Sequence, residues 1–174
     1  DAVDILVERM IRIQEVVQRV GNGDISDLEP LKKEGRRSEN DQISPAFIQM
    51  EESLQGIIDE INGLTNKIVK GELDSRGEPD KFKGGFKTIV EGVNSTLDAV
   101  IQPLNVVKIY IDRIAKGNLE KRITVKNEAT NIFKGEFGSI KDNVNQCMDN
   151  IQSLVDSVDS QSRDAMEGKL DTRI

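Results

Sequence analysis

The chain has 174 residues, a formal net charge of −7 and a sequence pI near 4.8. Its acidic balance argues against a nucleic-acid partner, and with no His it lacks the commonest general base, the commonest zinc ligand and any phospho-acceptor histidine. Aromatics are only 3% against 32% charged residues, which disfavours one large globular core and suits long amphipathic helices with solvated outer faces.

The first helix is predicted from the opening residues to about 21, with Leu6, Met10, Ile13, Val17 and Val20 spaced alternately four and three apart. A connector at roughly 21–42 follows, carrying Ile25, Leu28 and Leu31 among Gly, Pro and charge. The second helix is expected over 43–70, where Ile43, Phe47, Met50, Leu54, Ile57, Ile61, Leu64 and Ile68 keep that alternation without a break. After a second connector at roughly 71–84, with Leu73 and Phe82, the third helix carries Phe86, Val90, Val93, Leu97, Val100, Leu104, Val107, Ile111 and Ile114 in the same phase across Pro103. A third connector at roughly 117–135 holds Leu119, Ile123, Val125, Ile132 and Phe133. The fourth helix then continues with Phe137, Ile140, Val144, Cys147, Ile151, Leu154 and Val158, before the stripe turns polar at Gln161. Sustained seven-residue spacing with charged outer positions is the mark of a coiled-coil seam.

These elements repeat. Each helix closes on a Gly, a polar residue and an aliphatic one: Gly23-Asp24-Ile25, Gly71-Glu72-Leu73, Gly117-Asn118-Leu119 and Gly168-Lys169-Leu170. The glycines lie 48, 46 and 51 residues apart (71 − 23, 117 − 71, 168 − 117) and are the expected helix stops, since the position needs positive φ. Arg76, Arg122 and Arg173 follow three places after the aliphatic residue in three copies. A second landmark opens the next helix: Gly84-Gly85-Phe86 and Gly135-Glu136-Phe137 both run on to Val-Asn, at Val93-Asn94 and Val144-Asn145, then to Leu97 or Met148. The first copy is weaker at Asp41-Gln42-Ile43 but keeps Met50 and Leu54. Each connector is long enough to run back along its helix, so that successive helices could share one direction. The chain opens in mid-helix and stops inside a repeat, so it is expected to be a piece of a longer protein.

Candidate sites are few. One Cys cannot form an intramolecular disulfide, and Cys147 on the seam reads as a small hydrophobe. Gly21-Asn22-Gly23 follows a helix rather than a strand, which disfavours a phosphate loop. Asn94-Ser95-Thr96 lies mid-helix, so its match to a glycosylation acceptor reads as incidental. Glu51-Glu52 reads as a solvated helix face rather than a methylation site. Pro103 is expected to break or bend its helix locally while keeping phase. Gly56, Gly63 and Gly92 sit inside helices as softening points or tolerated drift. Leu73, Leu119, Phe86 and Phe137 are expected to anchor connector to helix. No stretch approaches 18 uncharged apolar residues, and no signal-peptide pattern opens the chain.

Ile101-Gln102-Pro103-Leu104, the helix close Ile114-Ala115-Lys116-Gly117-Asn118-Leu119, and Gly135-Glu136-Phe137-Gly138 leading to Asn145 and Met148 resemble the HAMP domain of bacterial and archaeal receptors. The repeated blocks are similar to those of methyl-accepting chemotaxis proteins that carry such domains in tandem. The resemblance is densest over 86–148 and departs from the pattern early, where Arg9 stands for the opening Pro and Gln42 for the Glu. It implies an all-α fold in which two helices from each protomer of a homodimer form a parallel four-helix coiled coil, with the connector alongside. Modules are expected at 1–58, 57–101 (sharing the helix 43–70) and 102–152, with the start of a fourth at 153–174.

The seam then comprises Leu6, Met10, Ile13, Val17, Phe47, Met50, Leu54, Ile57, Ile61, Leu64, Ile68, Phe86, Val90, Val93, Leu97, Leu104, Val107, Ile111, Ile114, Phe137, Ile140, Val144 and Ile151. The helix stops and connector anchors are Gly23, Ile25, Gly71, Leu73, Gly117, Leu119, Ile123, Glu136, Gly168 and Leu170. The implied role is a non-enzymatic relay between a sensor and an output domain of one cytoplasmic polypeptide, switching between two packings. It needs no cofactor, metal or nucleic acid. A passive coiled-coil spacer and a monomeric antiparallel four-helix bundle remain the alternatives.

Overall fold

A computed structural model describes residues 2–26, 28–36, 38–125 and 131–168, without the side chains of Ala2 and Leu6. All regular structure among the described residues is helical: α1 Ala2–Gly21, α2 Leu28–Glu34, α3 Ile43–Val69, a 3₁₀ turn Pro79–Lys81, α4 Gly84–Ala115 and α5 Glu136–Met166. The chain divides into two compact units, Asp1–Asn94 and Ser95–Ile174, with the boundary inside α4.

The predicted stops end their helices as the glycine chemistry requires. At the end of α3, Gly71 (φ 88°) donates its amide to the Ile68 carbonyl at 2.9 Å, and Glu72 donates to Lys67 at 3.0 Å. The same pair closes α4, from Gly117 (φ 71°) to Ile114 and from Asn118 to Arg113, both at 2.9 Å. It also closes α1, from Gly23 to Val20 and Asp24 to Arg19 at 2.9 Å. These paired bonds satisfy carbonyls that the last turn would leave open, and a side chain at the glycine would be strained there. Gly168 has the same positive φ, 78°, while Leu170 lies outside the described residues.

Three features differ from the sequence expectation. The first connector, expected only to link two helices, holds a helix of its own, because Leu28–Glu34 forms α2 and packs on α3. Leu28 and Leu31 are buried on it, Pro30 stands in the first turn where its missing amide costs little, and Lys32 reaches Glu52 at 2.9 Å. Glu51 is not on a solvated face: its side chain is wholly buried, whereas its neighbour Glu52 is half exposed. Finally, of the break or bend expected at Pro103 there is no break: the proline sits inside α4 and is itself fully buried. Burial there, with Ile101 and Val107 also buried, offsets the roughly 3 kcal/mol that an interior proline costs a helix.

Within the second unit, Val107, Ile123 and Phe133 form a buried cluster against which Tyr110, Val125, Ile132, Phe137 and Val144 pack. Each fully buried aliphatic or aromatic side chain contributes about 1.5–3 kcal/mol, so this cluster ties the third connector to α4 and α5. In the first unit the buried apolar positions include Leu64 on α3 and Val90 on α4.

Candidate functional site

Among the described residues no group of three or more Cys, Asp or Glu could hold a metal ion, and Cys147 is free and exposed. What the repeat builds twice is a hold of helix on connector. In the second connector, the Asn94 side chain of α4 accepts the Gly77 amide at 2.8 Å and donates to the Gly77 carbonyl at 2.9 Å. In the third, the Asn145 side chain of α5 accepts the Ile123 amide at 2.8 Å and donates to the Ile123 carbonyl at 2.9 Å. A primary amide carries a donor and an acceptor in one plane, so it pairs with a single extended residue as a neighbouring strand would.

Gly77 and Ile123 are equivalent by count, each six places after its helix-stop glycine (77 − 71, 123 − 117). The arginine before each turns back in the same way: Arg76 Nη1 donates to the Leu73 carbonyl at 2.8 Å, and Arg122 Nη1 donates to the Leu119 carbonyl. Arg122 also pairs with Asp149 at 2.6 Å, a largely exposed contact worth at most about 1 kcal/mol.

The opposite helix holds the adjacent residue. Glu60 of α3 accepts the Glu78 amide at 2.8 Å, with Lys81 at 3.5 Å from the same carboxylate. Tyr110 of α4, with the Arg113 guanidinium 5.2 Å from its ring centre, donates its hydroxyl to the Arg122 carbonyl at 3.0 Å. A Cβ built on Gly77 would meet Val90 Cγ1 at 2.8 Å, so the second connector lies too close to α4 for a side chain there. At the equivalent place Ile123 instead buries a large side chain.

The remaining anchors divide. Leu119 and Ile123 are buried and Ile25 half-buried, whereas Leu73 is 39% exposed. Phe137 packs on the Val107–Ile123–Phe133 cluster, Phe86 is half-buried, and Glu136 is the exposed first residue of α5. Along the seam, Leu64, Val90 and Val107 are buried, while Met10, Val17, Leu104, Ile111 and Ile140 are exposed in the single chain. The other seam positions are half-buried, and the Leu6 side chain is outside those described. Sequence reasoning marked the Val-Asn landmark but not its hold on the connector, and passed over Glu60, Gly77 and Tyr110. The repeated Asn beside a seam Val was the available signal.

Residues 81–153 match the HAMP domain family. This stretch is a HAMP domain. It takes in all of α4, the third connector with its Asn145 hold, and α5 to Ser153, and so includes the 86–148 region of densest resemblance. HAMP domains are signal-relay linkers joining domains of one sensor polypeptide, and they carry no catalytic chemistry. No described helix is long and apolar enough to cross a membrane.

Proposed function

We propose that the chain is a tandem HAMP relay that carries a conformational state between a sensor and an output domain of a chemoreceptor-like, methyl-accepting chemotaxis protein. In this reading the HAMP domain at 81–153 belongs to a row of modules at 1–58, 57–101 and 102–152, with a fourth opening at 153–174. Two copies lie parallel, and each module closes as a four-helix coiled coil facing the cytoplasm. Seam positions and connector anchors act together, because a packed core with two arrangements a few kcal/mol apart is what passes a shift along.

One observation carries this reading beyond the matched stretch. The connector at 71–84, most of which precedes residue 81, is held by Asn94 with the same bonds, at the same count from the helix stop, as the connector inside the HAMP domain. Two helix–connector–helix units built alike favour a tandem array over one domain with unrelated flanks. The exposed stripe of Val100, Leu104 and Ile111 on α4, with Ile140 on α5, favours closure against another copy. Sedimentation equilibrium tests it directly. The expected species has twice the 19.4 kDa protomer mass, and a compact monomer overturns the parallel dimer.

A further inference from the structure

The bonds from helix side chains to connector backbone described above come in pairs on consecutive connector residues, one from the helix before the connector and one from the helix after it. In the second connector Glu78 is bonded to Glu60 on α3 and Gly77 to Asn94 on α4. In the third, Arg122 is bonded to Tyr110 on α4 and Ile123 to Asn145 on α5. The residues that do this are not the same. A carboxylate holds the near side in one case and a phenol in the other, and they stand at different counts before their helix stops (71 − 60 = 11, 117 − 110 = 7). The residue they hold also shifts, to the seventh after the stop in one connector and the fifth in the other (78 − 71, 122 − 117), so that in each it adjoins the sixth, which the asparagine holds.

We propose that each of these connectors is a two-sided tie setting the axial register of its flanking helices, with Asn94 and Asn145 as the positioning residues and Glu60 and Tyr110 as their counterparts. A peptide unit is stiff, and neighbouring residues are only 3.8 Å apart at Cα. One helix therefore cannot slide or rotate past the other without straining or breaking a bond on the opposite side. Gly77 tightens this in the second connector, since α3 and α4 press it from both sides: an added Cβ would lie 3.4 Å from the Glu60 carboxylate and 2.8 Å from Val90. The tie rests on the relay reading for its purpose but not for its existence. It transmits displacement along one chain, through the connector, in addition to whatever the packed seam transmits.

Amide hydrogen exchange by NMR on the full chain tests the tie, because its prediction crosses from one helix to the other. Glu60→Ala removes the α3 bond to Glu78, and the Gly77 amide, which Glu60 does not accept, is expected to exchange about tenfold faster. Asn94→Ala should release the Glu78 amide in the same way, and Tyr110→Phe the Ile123 amide. Tyr110→Phe loses one hydroxyl and keeps its ring, so it decides the matter even if the alanine variants fail to fold. An unchanged exchange rate at the amide held by the opposite helix overturns the proposal, as does an equal acceleration throughout both flanking helices. The measurement reads the same in monomer and dimer, so its failure is distinct from failure of the relay reading, which the solution mass decides.

Discussion

Asn94 and Asn145 hold the chain with groups that no neighbouring residue type reproduces. Asp has the acceptor without the donor, and Ala has neither. Close approach matters equally at Gly77, where a methyl group would push into Val90. Gly77→Ala is expected to destabilise the first unit by about 1–3 kcal/mol, read as a lower midpoint in urea, whereas Ile123→Val should cost about 1 kcal/mol. A third residue-level device sits at the end of α1. The Arg19 side chain, 2.9 Å away, together with the Ser26 hydroxyl and amide, lowers the Asp24 carboxyl to about 2 from 3.8. Since the folded value is the lower one, folding favours the charged form. The contribution is complete above 3.8 and disappears as pH falls towards 2. An NMR titration of Asp24 in Arg19→Ala should move back towards the ordinary carboxylate range.

At the scale of elements, periodicity and glycine made α1, α3, α4 and α5 legible, because seam spacing and helix stops are written within one or two turns of chain. The seven residues of α2 were not legible. So short a helix, interrupted by Pro30, has little propensity of its own and forms where Leu28 and Leu31 find α3. Nor were the connector holds, whose partners lie 17, 18, 22 and 12 residues apart. Burial of Glu51 escaped for the same reason, since only tertiary packing distinguishes it from Glu52. Interior glycines separate once packing is known. The Phe82 ring stands 3.4 Å from where a Gly56 Cβ would lie, while nothing stands within 4 Å at Gly92. Gly92→Ala is therefore expected to stabilise α4 by up to about 1 kcal/mol, seen as a higher Tm.

For the molecule as a whole, the informative contrast is between apolar positions satisfied within the chain and those left open. Val90, Val107 and Met148 are closed, but Leu104, Ile111 and Ile140 expose 41%, 54% and 36% of their surface although they keep the seam phase. In the proposed dimer, alanine at any of the three should weaken self-association by about 1–3 kcal/mol, measured by sedimentation equilibrium. The exposed charge at Lys108, changed to Ala, should leave association unaltered. Unchanged association in all three seam variants would place the dimer contact elsewhere.

The two connectors differ in length, 13 steps from Gly71 to Gly84 against 18 from Gly117 to Gly135, yet both reach their asparagine at the sixth step. All of the difference therefore falls downstream of that point, as on a ruler calibrated from its near end only. One residue inserted between Leu119 and Arg122 should abolish protection of the held amide, while one inserted beyond Val125 should leave it intact. Lineages and engineers alike would then be free to vary the length of the far segment, and bound to conserve the count in the near one.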